Sequence, residues 1–137
     1  AITVLETPGH TSGHVCFWFK GNKVLFSGDT LFAMGCGRLF EGTAEQMFQN
    51  FKRFNDMPDE TAIYCGHEYT QDNGRFCLSV DPDNPALIKR MKEVETIRNN
   101  KKPTIPSLMG EEKKTNIFMK AQSAQEFAKF RQLKDKF

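Results

Sequence analysis

The apolar positions change period along the chain. Ile2–Glu6 and Val15–Phe19 are short runs rich in β-branched and aromatic residues, the pattern of half-buried strands. Gly21-Asn22, between Lys20 and Lys23, reads as a hairpin turn into a third strand at Val24-Leu25-Phe26. The period then lengthens. Met47, Phe48, Phe51 and Phe54 fall on one helical stripe, and Thr43 with Gln46 predicts a capping box at its start. Met57-Pro58-Asp59 ends that helix, and a short strand at Ala62–Tyr64 runs into Gly66-His67. Strand, helix and strand in this order predict a layered α/β sandwich.

Past Asp81–Pro85 the pattern is helical. Asn84 can cap a helix with Pro85 at its first position, and Leu87, Ile88, Met91, Val94 and Ile97 form its stripe before Pro103 closes it. Ser123 with Glu126 predicts a second capping box, ahead of Phe127, Phe130, Leu133 and Phe137. The expected division is an α/β unit over residues 1–80 and a helical subdomain over residues 81–137. No internal repeat or low-complexity tract interrupts either.

Composition narrows the class. With 137 residues, 39% apolar and 26% charged, the chain is globular, which excludes disordered, collagen-like and disulfide-scaffold proteins. No apolar run approaches the ~18 residues a membrane span needs, so no membrane role is expected. The abrupt start at Ala1, directly before a strand, is expected of a piece of a longer protein. Net charge is +2, yet residues 1–84 carry six Lys and Arg against eleven Asp and Glu, and residues 85–137 thirteen against six. A basic arm suits nucleic acid, a membrane surface or a small anion; solvated helix faces are the ordinary explanation on charge alone. No aromatic-basic RNA motif or groove-reading helix is evident, so no nucleic-acid partner is expected. The four cysteines form no C-x-x-C pair and read as reduced thiols of an intracellular protein.

The candidate chemistry sits where strands end. His10 lies in Thr7-Pro8-Gly9-His10-Thr11-Ser12-Gly13-His14, Asp29 in Ser27-Gly28-Asp29-Thr30-Leu31-Phe32, and His67 in Tyr64-Cys65-Gly66-His67-Glu68-Tyr69. Imidazole and carboxylate are ligands for hard or borderline cations. Singly each motif is weak, since a lone loop histidine is more often structural and Gly28-Asp29 could be an ordinary turn. A helical zinc pair of His10 and His14 is excluded by Pro8-Gly9, by Ser12-Gly13 and by the strand that follows. His14 is instead expected beside the site or in packing. Cys36, between Gly35 and Gly37, is expected as an exposed-loop thiol and not a nucleophile.

In series, these motifs with Gly35-Cys36-Gly37-Arg38, Gly42-Thr43-Ala44-Glu45-Gln46-Met47, Ile105-Pro106-Ser107, Gly110-Glu111-Glu112 and Arg131-x-x-Lys134-Asp135-x-Phe137 closely resemble the glyoxalase II (hydroxyacylglutathione hydrolase) family of the metallo-β-lactamase superfamily. The resemblance runs the length of the chain. Ile117 departs from the family's usual Pro and touches only a local turn. A larger departure is the lack of the T-H-x-H-x-D-H motif of the family's N-terminal half. The resemblance implies the second half of an αββα sandwich followed by a C-terminal helical subdomain. It implies two divalent metal ions, zinc first with iron or manganese as alternatives, held in part by His10, by Asp29 as the bridge, and by His67. Coordination brings the pKa of water to ~7, which suits attack on a thioester carbonyl.

The implied substrate is S-D-lactoylglutathione, released as glutathione and D-lactate, with Arg38, Phe40, Tyr69, Arg131 and Lys134 as its binding residues. Arg131 and Lys134, three apart, share a helix face; without the resemblance they read as solvated charges. A monomer in the cytoplasm or the mitochondrial matrix is expected, and the chain alone is expected to be inactive. The alternatives are a mononuclear-iron glutathione persulfide dioxygenase and an inactive truncated product that only binds glutathione.

Overall fold

The computed structural model describes residues 1–137. Three strands open the chain: β1 (Thr3–Glu6), β2 (Val15–Phe19) and β3 (Val24–Gly28). β1 pairs with β2 and β2 with β3, both antiparallel. The β2–β3 connection is one 3-10 turn, Lys20–Asn22, and its left-handed residue is Lys23 at φ 54°, not Gly21 or Asn22. Two contacts hold Lys23 there: its carbonyl accepts from Ala62 N at 2.9 Å and its Nζ meets Glu60 at 2.6 Å. A small hairpin, β4 (Leu31–Phe32) and β5 (Gly35–Cys36), follows.

Helix α1 (Ala44–Asn55) starts with the full capping box, Gln46 N to Thr43 Oγ1 and Thr43 N to Gln46 Oε1. It crosses over to β6 (Ala62–Cys65), which lies parallel to β3. Helices α2 (Thr70–Val80) and α3 (Pro85–Asn99) come next, the latter capped by Asn84 with Pro85 in its first turn. The helical second part is interrupted by β7 (Ser107–Leu108), which completes the sheet in the order β1-β2-β3-β6-β7. Two residues behind Pro106 are too few to show a strand period. Helices α4 (Met109–Thr115), α5 (Ile117–Lys120) and α6 (Ala124–Asp135) end the chain. Ser123 caps α6, but the Glu126 carboxylate reaches Gln122 N, so the expected reciprocal box is only half made.

One face of the sheet carries the core. Cys16, Trp18, Leu25 and Ile63 meet Met47, Phe51 and Phe54 of α1, and the cluster continues through Phe118 to Phe127 of α6. The Phe127 ring lies 5.2 Å from both Phe51 and Phe118. Phe127 is buried, while Leu133 and Phe137 stay exposed at the end of the stripe. On the opposite face, Val4, Phe17, Phe26 and Tyr64 lie side by side in register across four strands, all exposed. No helix is long and apolar enough to cross a membrane.

Helix α2 carries no side-chain cap and a glycine in its middle, which weakens helix propensity by about 1 kcal/mol. The glycine serves packing. A Cβ on Gly74 would lie 2.0 Å from Met91 Sδ, so the glycine leaves room for the Met91 side chain of α3 in its present rotamer.

Buried beneath the helices is a carboxylate hub. Glu112 accepts from Met34 N at 2.7 Å and from Asn116 Nδ2 at 3.1 Å, and it bonds to the Ser107 hydroxyl. Arg90 Nη2 stands 2.7 Å from it, and Arg90 Nη1 donates to Thr115. Asn116 Nδ2 also donates to the carbonyls of Phe32 and Gly35. The hub thus ties α3, α4 and β7 to the β4–β5 hairpin.

Candidate metal centre and substrate cavity

Three loops meet beyond the ends of β1, β3 and β6. His10 sits between β1 and β2, Asp29 directly after β3 and His67 two residues after β6. His10 Nδ1 stands 2.9 Å from the Arg38 carbonyl. A carbonyl only accepts, so Nδ1 carries the proton and Nε2 keeps its lone pair. That Nε2 lies 3.7 Å from Asp29 Oδ2, and His67 Nε2 lies 3.3 Å from Asp29 Oδ1. Each imidazole therefore faces a different oxygen of one carboxylate.

No group of three or more His, Cys, Asp or Glu side chains is gathered closely enough to hold an ion by itself. Asp29 lies between the histidines, so the donors stand as two pairs, each one imidazole nitrogen and one carboxylate oxygen. Neutral nitrogen with anionic oxygen is the donor chemistry of divalent ions. The residues fit such ions as partial ligand sets.

The same loops and α6 enclose a cavity of about 430 Å³. His10, Asp29, His67, Arg38, Phe40, Tyr69, Arg131 and Lys134 all line it, so every residue singled out in the sequence is brought to one place. Phe32, Cys36, Asp72 and Asn73 line it as well; Phe32 ends the motif that carries Asp29, whereas no motif marked Asp72 or Asn73. Tyr69 stacks on the His67 ring at 4.8 Å, Phe32 packs on Tyr69 at 5.1 Å, and Phe40 lies 5.1 Å from His10.

The two cations of α6 differ. Arg131 is 5% exposed and is not a solvated charge. Its Nη1 donates to the Cys36 carbonyl, its Nε and Nη2 donate to Asp135 at 3.1 and 2.8 Å, and its guanidinium lies over the Phe118 ring. Lys134 forms no ion pair, and burial, then the charges of Arg131 and Arg38, push its pKa below the usual lysine range. An anion arriving there would be welcomed. Arg38 is mostly exposed, with Nε 4.0 Å from Asp135.

Cys36 is buried, contrary to the exposed thiol expected between two glycines. Asn116 and Arg131 close over its hairpin. Burial pushes the thiol up to about 11, although Arg131 pulls the other way, so it stays protonated and is a poor nucleophile at neutral pH. His14 is half-buried beside Asp29, and burial lowers its pKa against the opposing pull of that carboxylate. Glu68 points away from the cavity and accepts from Thr104 N and Oγ1 at 2.6 and 3.0 Å.

Comparison with known proteins places the chain in a family. Residues 68–137 match the family described as hydroxyacylglutathione hydrolase C-terminus, and residues 1–67 match the metallo-β-lactamase superfamily. The chain belongs to the hydroxyacylglutathione hydrolase family. It is 52% identical to a hydroxyacylglutathione hydrolase of Methylococcus capsulatus over 120 residues, covering 88% of this chain and 47% of that protein. It is 49% identical to one of Rhizobium meliloti over 150 residues, covering 99% and 59%. The chain spans about half the length of the curated relatives it matches. Among solved structures, ETHE1 from Myxococcus xanthus superposes with a TM-score of 0.65 at 25% identity, covering 96% of this chain and 44% of that one. The αβ arrangement is thus that of the metallo-β-lactamase superfamily, with a helical C-terminal region.

Proposed function

We propose that this chain is the part of a metal-dependent thioester hydrolase that cleaves S-D-lactoylglutathione to glutathione and D-lactate, the hydrolytic step of methylglyoxal detoxification. The observation that carries the reading is the Asp29 carboxylate set between two imidazoles, one on each oxygen. His10, Asp29 and His67 would hold part of a binuclear site, Asp29 reaching both ions. Divalent ions there, zinc first and iron or manganese by availability, would supply Lewis-acid activation of water and of the acyl carbonyl.

The chain's own groups do the rest. The Arg38 carbonyl keeps the His10 proton on Nδ1, so Nε2 stays free to ligate. Residues 81–137 act as the substrate-binding subdomain. Lys134 and Arg38 offer cations to the glutathione carboxylates, and Arg131 stiffens the cavity wall between them. Phe40 and Tyr69 flank the two histidines and limit water at the reacting carbonyl. A thiolate leaves readily, so the leaving sulfur needs little protonation. The working protein is a monomer and, its matched relatives being bacterial, resides in the cytoplasm.

The test is hydrolysis of S-D-lactoylglutathione with metal analysis. The metal-loaded 137-residue chain is expected to show no turnover above background, because it holds only partial ligand sets. Co-expression with a polypeptide bearing the T-H-x-H-x-D-H half is expected to restore turnover with two ions bound. One ion per complex would favour the persulfide dioxygenase instead. Binding of glutathione by calorimetry without turnover in the complex would leave only a glutathione-binding product.

A further inference from the structure

Of the three histidines, His14 has no part in the reading above, yet it is the most completely hydrogen-bonded. Asp29 N stands 3.2 Å from His14 Nε2. A backbone amide can only donate, so Nε2 accepts, and the neutral ring carries its proton on Nδ1. Nδ1 lies 2.8 Å from Thr30 Oγ1 and 3.0 Å from Thr7 Oγ1. The Thr30 hydroxyl donates to Thr7 Oγ1 at 3.4 Å, and the Thr7 hydroxyl donates to the His14 carbonyl at 3.3 Å. Both threonines are fully buried. With Nδ1–H donating to Thr30, every donor in this relay finds an acceptor, and the opposite tautomer would set two donors face to face at Asp29.

The ring also braces the backbone. Gly28 has a left-handed φ of 52°, and a Cβ there would lie 2.8 Å from His14 Nε2. The imidazole fills the place where any other residue would put a side chain. On the far side, the Gly28 carbonyl accepts from Gly66 N at 2.8 Å, one residue before His67. His14 O in turn accepts from Thr7 N at 2.9 Å, which closes the loop that carries His10. The ring thus contacts Gly28 and Asp29, the His14 carbonyl holds the base of the loop that carries His10, and Gly28 passes the contact on to the segment before His67.

We propose that His14 is a positioning residue: as the Nδ1–H tautomer it holds the Asp29 amide, and so sets the Asp29 carboxylate between His10 and His67. This rests on the reading of those three residues as metal ligands. Substitution of groups behind metal ligands commonly costs ~10–100-fold in metal affinity. Removing the Nε2 acceptor is expected to fall in that range.

The test uses the 137-residue chain and two variants. A glutamine amide oxygen reaches about where Nε2 sits, whereas asparagine is too short, so His14→Gln keeps an acceptor for Asp29 N and His14→Asn does not. Imidazole 15N spectra of the metal-free chain are expected to show His14 unprotonated at Nε2 and protonated at Nδ1. Amide exchange at Asp29 is expected to speed up at least tenfold in His14→Asn and to stay within about threefold in His14→Gln. Zn2+ titration of the complex with the T-H-x-H-x-D-H half, followed at the His10 and His67 nitrogens, is expected to show affinity about tenfold or more weaker in His14→Asn, with rescue in His14→Gln. A protonated Nε2, or equal behaviour of both variants in exchange, overturns the proposal. If the wild-type complex with the T-H-x-H-x-D-H half takes up no Zn2+ while the tautomer and exchange results hold, the ligand reading fails and the bracing of Asp29 stands.

Discussion

Arg131→Ala is expected to damage the fold before it damages binding. The guanidinium supplies Cys36 with its carbonyl partner, and Cys36 is buried, so alanine leaves that acceptor unsatisfied at a cost of about 1–3 kcal/mol. The ion pair with Asp135 adds less. Asp135 is half exposed and rehydrates, so that i,i+4 pair is worth about 0.3–0.5 kcal/mol. Loss of the stem and of its contact with the Phe118 face adds about 1 kcal/mol. The total is about 2–4 kcal/mol, and for a domain of this size each kcal/mol lowers Tm by about 3–4 °C. Thermal melts of the variant are expected to fall by about 10 °C, and urea titrations to show a lower midpoint at unchanged slope. Lys134→Ala, which breaks no ion pair and relieves repulsion from Arg131 and Arg38, is expected to leave Tm within about 2 °C and, in the enzyme completed by the T-H-x-H-x-D-H half, to raise KM for glutathione thioesters. An Arg131→Ala protein with wild-type Tm and raised KM alone would refute the reasoning and make the two cations equivalent ligands of the substrate.

In the enzyme completed by the T-H-x-H-x-D-H half, Asp29→Ala is expected to lower metal content and kcat together, while Glu68→Ala changes either only a few-fold, because Asp29 faces both imidazoles and Glu68 faces Thr104; two full metal equivalents with near-normal kcat after Asp29→Ala would end the bridging assignment. Burial pushes the Glu68 carboxyl up, but the Thr104 amide and hydroxyl, Thr70 and Arg98 hold it below the ordinary 4.5. A depressed acid stabilises the fold above its unfolded pKa and loses that contribution as pH falls through its folded value, so wild type is expected to exceed Glu68→Gln in stability at pH 7 and to converge with it as the pH falls past the ordinary carboxylate range in urea titrations. Glu112→Ala leaves Arg90 buried without its counter-ion and is expected to cost about 3–5 kcal/mol, against less for Glu112→Gln, read as denaturation midpoints. Glutathione thioesters stripped of their carboxylates are expected to show no KM response to Lys134→Ala.

The strands and α1 are legible because their signals are local: alternation in Val15–Phe19, and Thr43 with Gln46 three residues apart. Helix α2 is not, since Gly74 speaks against a helix and only the Met91 side chain of another helix explains it. The Glu112 hub is likewise invisible, its Met34 partner lying 78 residues away. Gathering His10, Asp29 and His67 follows from motifs at strand ends. The difference between Arg131 and Lys134 does not, because identical spacing on a helix says nothing of which cation meets the Cys36 carbonyl.

Glu112, Asn116 and Arg131 all spend their hydrogen bonds on residues 32–36. The stretch that matches the hydroxyacylglutathione hydrolase C-terminus is therefore keyed to one hairpin of the stretch before it. Exchanging residues 68–137 for the tail of another superfamily member would strand Met34 N and the carbonyls of Phe32, Gly35 and Cys36 without these partners. Grafting is expected to succeed only when residues 31–37 travel with the helices. Transplanted that way, the helical arm and its hairpin are expected to move as one packed cassette between scaffolds while leaving His10, Asp29 and His67 at the strand ends in place.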